Sequence, residues 1–150
     1  MKKPIGKWQN KILLLLFRIY WFLFRPVSAG VKVVLTYRGE VLVVRHTYGM
    51  KRYTFPGGGV EKMETPEKAA IREIKEELGV NLEEVIFCGS FISTEEYKKD
   101  TVYVYTAELD GKNIIIDGIE IQEASWFFKK ELPHLGPVAT RVYELYEQKN

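Results

Sequence analysis

Apolar positions follow two rhythms along this chain, and the change between them divides it. Ile12–Phe24 is a run of 13 residues, all apolar or aromatic except Arg18. From Gly30 the pattern shifts to a period near two with β-branched residues. Val31–Tyr37 (VKVVLTY) and Val41–Arg45 (VLVVR) read as strands joined by a short turn at Arg38-Gly39-Glu40. Their nearly continuous apolar character predicts central strands covered on both faces. Val85–Ser93, Thr101–Leu109 and Ile121–Phe128 read as three more strands, with a turn at Asp110-Gly111-Lys112-Asn113. Pro137–Glu147 reads as a closing helix with Val138, Val142, Leu145 and Tyr146 inward.

One further helix lies between Thr65 and Gly79. Thr65 offers a side-chain oxygen to the first free amides, and Pro66 follows where a missing N–H costs nothing. Gly79 is the matching stop. At about 100° per residue three stripes emerge. Ile71, Ile74 and Leu78 form an apolar stripe that should face the core, with Lys68 and Lys75 opposite, toward water. Glu73, Glu76 and Glu77 share a third stripe bordering the apolar one, where Arg72, four residues before Glu76, can tether only one of the three. Like charges at these spacings cost roughly 0.2–0.5 kcal/mol per pair. A hard divalent cation such as Mg²⁺ or Mn²⁺ reverses that sign, because it takes carboxylate oxygens as ligands. A solvated acidic face is the alternative, but this one borders a buried stripe and follows three glycines.

The stretch Gly58–Val80, GGVEKMETPEKAAIREIKEELGV, resembles the signature of the Nudix hydrolases: G-x5-E-x7-R-E-U-x-E-E-x-G-U, with U aliphatic. Gly58, Glu64, Arg72, Glu73, Ile74, Glu76, Glu77, Gly79 and Val80 fill all nine specified positions. Many members have glycine immediately before the loop glutamate, where this chain has Met63. The resemblance covers roughly Gly30 to Glu147. It implies an α/β fold, an α/β/α sandwich around a mixed β-sheet spanning residues 30–150, preceded here by an extra hydrophobic helix within residues 1–29. It also implies hydrolysis of a nucleoside diphosphate linked to another moiety, with Mg²⁺ or Mn²⁺ held by Glu73, Glu76, Glu77 and the carbonyl of Gly57. Arg72 would orient a carboxylate, and Glu64 would brace the loop or touch a second ion. The general base would be a signature glutamate or an acid from a distant loop, for which Glu120 and Glu123 are the candidates.

Composition adds little to this. The content of 46% apolar and 28% charged residues suits one globular domain, and the single cysteine, Cys88, allows no internal disulfide and reads as a buried, inert thiol. Charge is more telling. Residues 1–30 hold six basic and no acidic side chains, against 16 basic and 20 acidic in the rest. The body is therefore no surface for a nucleic-acid polymer, and substrate phosphates must be held by metal and local cations. Arg45, Lys51 and Arg52 are candidates, although exposed basic residues without a role are equally common. His46 reads as a hydrogen-bonded loop or core residue. Tyr53, Phe55 and Trp126 are aromatic enough to stack on a base or to serve as core. Tyr97 lies near where members acting on dinucleoside polyphosphates resemble one another in having a tyrosine.

The basic leader admits three readings. A 13-residue helix spans about 20 Å, short of the roughly 20 residues a bilayer requires. Lys11, Arg18 and Arg25 would form one cationic edge. Such a helix suits packing on the domain or on a second subunit of a homodimer, or an anionic membrane surface. Val27-Ser28-Ala29 resembles a signal-cleavage site, but Arg18 and Arg25 argue against secretion. The resulting expectation is a cytoplasmic protein, with peripheral membrane contact as the variant. Two other functions stay in view: a membrane-surface hydrolase of lipid-linked or isoprenoid diphosphates, and a non-catalytic nucleotide-binding module.

Overall fold

The computed structural model describes residues 12, 16, 29–47, 49, 52–94 and 99–150. Of the Ile12–Phe24 run only Ile12 and Leu16 are among them, both exposed. The expected N-terminal helix, its contact surface, Lys51 and Tyr97 lie outside the described residues. No helix among those described is long and apolar enough to cross a membrane.

Among the described residues six strands and two helices build the fold: β1 (Ala29–Tyr37), β2 (Glu40–His46), β3 (Tyr53–Thr54), α1 (Pro66–Leu78), β4 (Ile86–Ser93), β5 (Asp100–Glu108), β6 (Ile121–Phe128) and α2 (Pro137–Lys149), with a 3₁₀ turn at Lys129–Glu131. The sheet runs β3-β2-β1-β5-β4, and β6 pairs with β2. β1 and β5 are parallel and all other pairs antiparallel, so the sheet is mixed as expected. Its two faces carry separate cores. Val31, Val33, Leu35, Leu42 and Val44 pack with Ala70, Ile74 and Leu78 of α1. Val34, Val41, Val43 and Val104 pack with Ala139 and Val142 of α2. This is the α/β/α sandwich, and it confirms that β1 and β2 are covered on both sides. Inward on α1, Ala70 is fully buried where Ile71 is only partly so. On α2, Val142 is buried and Val138, Leu145 and Tyr146 pack against the same core.

The sheet is split at its centre. β1 and β2 pair only at their turn end, Thr36 with Val41 and Tyr37 with Glu40, whereas β2 pairs with β6 along its whole length. Past the divergence, the edge of β2 is taken by β3, a two-residue strand hidden in a sequence that reads as loop. The free edge of β1 is taken by the glycine loop: Val33 N–H donates to the Pro56 carbonyl at 2.9 Å and Val31 N–H to that of Gly58 at 2.8 Å. The loop is thereby laid along a strand beside the acidic face of α1.

Candidate active site

Helix α1 starts and stops where its caps say. Thr65 Oγ1 accepts from Lys68 N–H, Pro66 opens the helix, and Gly79 closes it in the left-handed region at φ 66°. This phase buries two signature acids, Glu73 at 8% and Glu77 at 1% exposure, and leaves Glu76 outside. Glu77 Oε2 accepts the Gly57 N–H at 2.9 Å. The glycines are required by contact. A Cβ on Gly58 would stand 2.5 Å from the Glu73 carboxyl carbon, and one on Gly57 would stand 2.1 Å from the Val31 carbonyl oxygen. The loop and the two carboxylates thus form a cradle that a single methyl group would fill.

Arg72 ties this cradle together more widely than the i, i+4 spacing indicates. Its Nε and Nη2 fork onto Glu64 at 2.8 and 2.9 Å, Nη1 reaches Glu73 at 2.7 Å and Glu76 at 3.5 Å, and Nη2 also donates to the Gly59 carbonyl at 2.9 Å. The expectation of one tether is corrected to two of the three helix acids plus the loop acid. A planar five-donor fork has the reach for this, and its partners push the Arg72 pKa up, Glu64 foremost. Glu64 closes its own turn by accepting Glu61 N–H, so it braces the loop.

Met63, where glycine is common, adopts φ 67° with its side chain 98% exposed. The glycine-type conformation is kept with a residue that pays for it sterically. Met63→Gly is expected to raise unfolding stability by about 0.5–1 kcal/mol, read as a higher midpoint in a urea melt; an unchanged or lower midpoint counts against strain at this position.

One residue of the cradle escaped the sequence reading. Lys32 of β1 sends its Nζ to the Phe55 carbonyl at 3.0 Å, inside the electrostatic reach of Glu77 and Glu73. Burial pushes its amine down and the two carboxylates push it back up. The available signal was a lone lysine in an otherwise apolar central strand. Burial is also the chief cause that raises the Glu77 carboxyl to about 8; Glu73 and Glu120 add to it, while Lys32 and the Gly57 N–H oppose it.

The distant candidates separate cleanly. Glu120 is near enough to Glu77 to weigh on its ionisation. Glu123 is not brought to the cradle. It points to the sheet face covered by α2, as do its neighbours along the strand Ser125 and Phe127, where Arg45 Nη2 binds it at 2.5 Å and Tyr53 OH at 2.9 Å. The Tyr53 bond first, and Arg45 with it, hold its carboxyl below the usual range. Arg45 and Tyr53 are thereby engaged with each other and with Glu123, with Arg45 5.4 Å over the Tyr53 ring. Phe55 cannot stack on a base: it is fully buried and stacked 6.1 Å from Tyr143. Trp126 pairs with Leu42, toward the far end of β2, and packs edge-on to Tyr37 at 6.3 Å. Arg52 is exposed on the rim of a small cavity of about 120 Å³ shared with His46 and Tyr53. His46 is a core-side histidine, held to about 4 first by burial and then by Lys32. Cys88 is half-buried, its thiol pushed up by burial.

Among the described residues no three His, Cys, Asp or Glu side chains close on one point as a ready-made metal cage. The donors that Glu73, Glu76 and Glu77 offer are hard carboxylate oxygens, the type a divalent cation such as Mg²⁺ or Mn²⁺ takes. The larger hollow of about 690 Å³ lies elsewhere, beyond β5. Glu83, Glu84, Glu108 and Asp110 line it, and that charge repels a polyphosphate.

A sequence profile of the NUDIX domain matches residues 25–148. The chain belongs to the Nudix family. It is similar to the NAD-capped RNA hydrolase NudC of Vibrio parahaemolyticus, 32% identical over 104 residues that cover 69% of this chain and 38% of that protein. The chain thus spans about two fifths of that Nudix relative. Among solved structures, the MutT NUDIX hydrolase of Burkholderia pseudomallei superposes with a TM-score of 0.71 at 22% identity, covering 79% of this chain and 96% of that one. The NUDIX domain of Shewanella oneidensis NrtR, complexed with ADP ribose, superposes at 0.70 with 16% identity, over 84% and 90%. These likenesses agree with the Nudix fold described above.

Proposed function

We propose that this chain is a divalent-metal-dependent pyrophosphohydrolase acting on a nucleoside diphosphate linked to another moiety. The observation that carries the reading is the burial of Glu73 and Glu77 against a glycine loop with no room for a side chain. Glu73, Glu77 and the Gly57 carbonyl would hold the ion from below and Glu76 from the rim. A bound Mg²⁺ or Mn²⁺ supplies Lewis acidity and neutralises charge on the pyrophosphate. The protein's own residues do the rest. Arg72 fixes the Glu73 carboxylate, Glu64 fixes Arg72, and Glu120 takes the proton from the attacking water. Arg52, exposed on the rim of the small cavity beside His46, is the candidate cation for substrate phosphate. Small nucleotides are favoured over a long polymer because the body is net acidic.

A Mg²⁺-dependent screen of nucleoside triphosphates, oxidised nucleotides, ADP-ribose, dinucleoside polyphosphates, NAD-capped oligonucleotides and isoprenoid diphosphates tests this. Release of phosphate or nucleoside monophosphate is expected; tight nucleotide binding with no hydrolysis would instead make the chain a binding module.

The raised Glu77 carboxyl gives a pH prediction. Below about 8 the metal-free site holds a proton that an ion must displace. Mn²⁺ affinity therefore rises with pH up to about 8, by at most about tenfold per unit, and levels off above it. Calorimetry in buffers of different ionisation enthalpy should detect the released proton at pH 7; a flat affinity from pH 6 to 9 would mean that no proton on Glu77 is displaced by the ion.

A further inference from the structure

The segment between β5 and β6 is stitched to the end of α1 at two residues. Ile115 N–H donates to the Leu78 carbonyl at 2.9 Å and Asp117 N–H to the Glu77 carbonyl at 3.2 Å. These are orphan carbonyls at the end of α1, so the segment also caps the helix. Asp117 Oδ1 then accepts three successive amides: Ile119 at 3.0 Å, Glu120 at 3.0 Å and Ile121 at 3.1 Å. From the other side Thr47 N–H donates to the Glu120 carbonyl at 3.0 Å, and Thr47 Oγ1 to that of Ile119 at 2.6 Å. The peptide groups flanking Glu120 are thus fixed on both sides, and Asp117 bonds both to the Glu77 carbonyl and to the Glu120 amide.

We propose that Asp117 is a positioning residue for hydrolysis: it hangs the Glu120 backbone from the end of α1 and so sets the Glu120 carboxylate beside Glu77. The inference rests on the reading of the site given under Proposed function. Three amide dipoles aimed at Asp117 Oδ1 occupy that oxygen, so it serves the backbone. Its Oδ2 is buried without a hydrogen-bond partner in the structure. Asparagine can therefore keep the Oδ1 bonds and lose none at the second position, which makes it the conservative replacement.

The test compares Asp117→Ala, Asp117→Asn and Glu120→Gln with the parent chain, on the substrate that the Mg²⁺ screen identifies, with Mn²⁺ affinity measured beside turnover. Displacing a proton-transfer group by about 1 Å costs up to about a hundredfold. Asp117→Ala should lower kcat by about 30- to 100-fold with KM and Mn²⁺ affinity within about twofold, and Asp117→Asn should recover to within about fivefold of the parent. Adding Asp117→Ala to Glu120→Gln should cost nothing more, because the displaced group is already gone. If Asp117→Ala does not fold, Asp117→Ser, too short to reach three amides, replaces it in every comparison. Equal slowing by Asn and Ala, full additivity with Glu120→Gln, or parental kcat in the Ala variant would each overturn the proposal while leaving the hydrolase reading intact. Parental turnover in Glu120→Gln would likewise overturn the proposal, along with the Glu120 role, and absence of hydrolysis by the parent chain would overturn both.

Discussion

Glu77→Gln is expected to lower turnover by about two to three orders of magnitude while leaving the metal-free fold as stable as before. The two halves of this result follow from one environment. Glu77 is 1% exposed and its carboxyl is raised to about 8, so at neutral pH without metal it is already a neutral acid accepting the Gly57 N–H. A glutamine amide reproduces that state: its oxygen takes the same N–H, and no charge is removed that the metal-free protein carried. What glutamine cannot do is become an anionic ligand. Thermal melts in EDTA at pH 7 should superpose, and steady-state rates under saturating Mg²⁺ should not. Parental turnover in this variant would remove Glu77 from the reaction. A collapse of the EDTA melt would show that the carboxylate acts in folding.

Gly57→Ala is expected to cost about 3–5 kcal/mol of stability, among the largest effects available to one methyl group. Gly57 has φ 139°, and its added Cβ would lie 2.1 Å from the Val31 oxygen, 2.9 Å from the Val31 carbonyl carbon and 3.0 Å from Lys32 Cα. All three are backbone atoms of a central strand paired along its length with β5, so nothing flexible can yield. The loop would have to leave the free edge of β1, taking with it the Pro56 and Gly58 carbonyl bonds and the Gly57 bond to Glu77. Denaturant melts measure the loss. A change below about 1 kcal/mol would mean that the loop does not sit on β1 as described.

Legibility in the sequence tracked the range of the interaction. The caps of α1 and the five strands read from alternation are set by neighbours within a few residues, and they held. Positions set by pairing did not. Glu120 and Glu123 read alike because both precede Trp126, yet strand alternation and the register shift at Arg45 and His46 turn Glu123 to the opposite face, against Arg45 and Tyr53. Phe55 precedes the glycine loop and looked available for stacking, but the loop's pairing with β1 drives it under α2. Lys32 and Asp117 were passed over because a lone strand lysine and an Asp-Gly turn each have ordinary explanations. Only the split between β1 and β2 gives them a place beside the signature acids.

Mn²⁺ binding followed by electron paramagnetic resonance, in the parent chain and in Glu77→Gln at pH 8, tests the central claim most directly. With an ion held by the proposed acids of α1, saturable binding is expected in the parent and at least tenfold weaker binding in the variant. Equal binding by the two proteins, or none by either with a nucleotide analogue present, would contradict it.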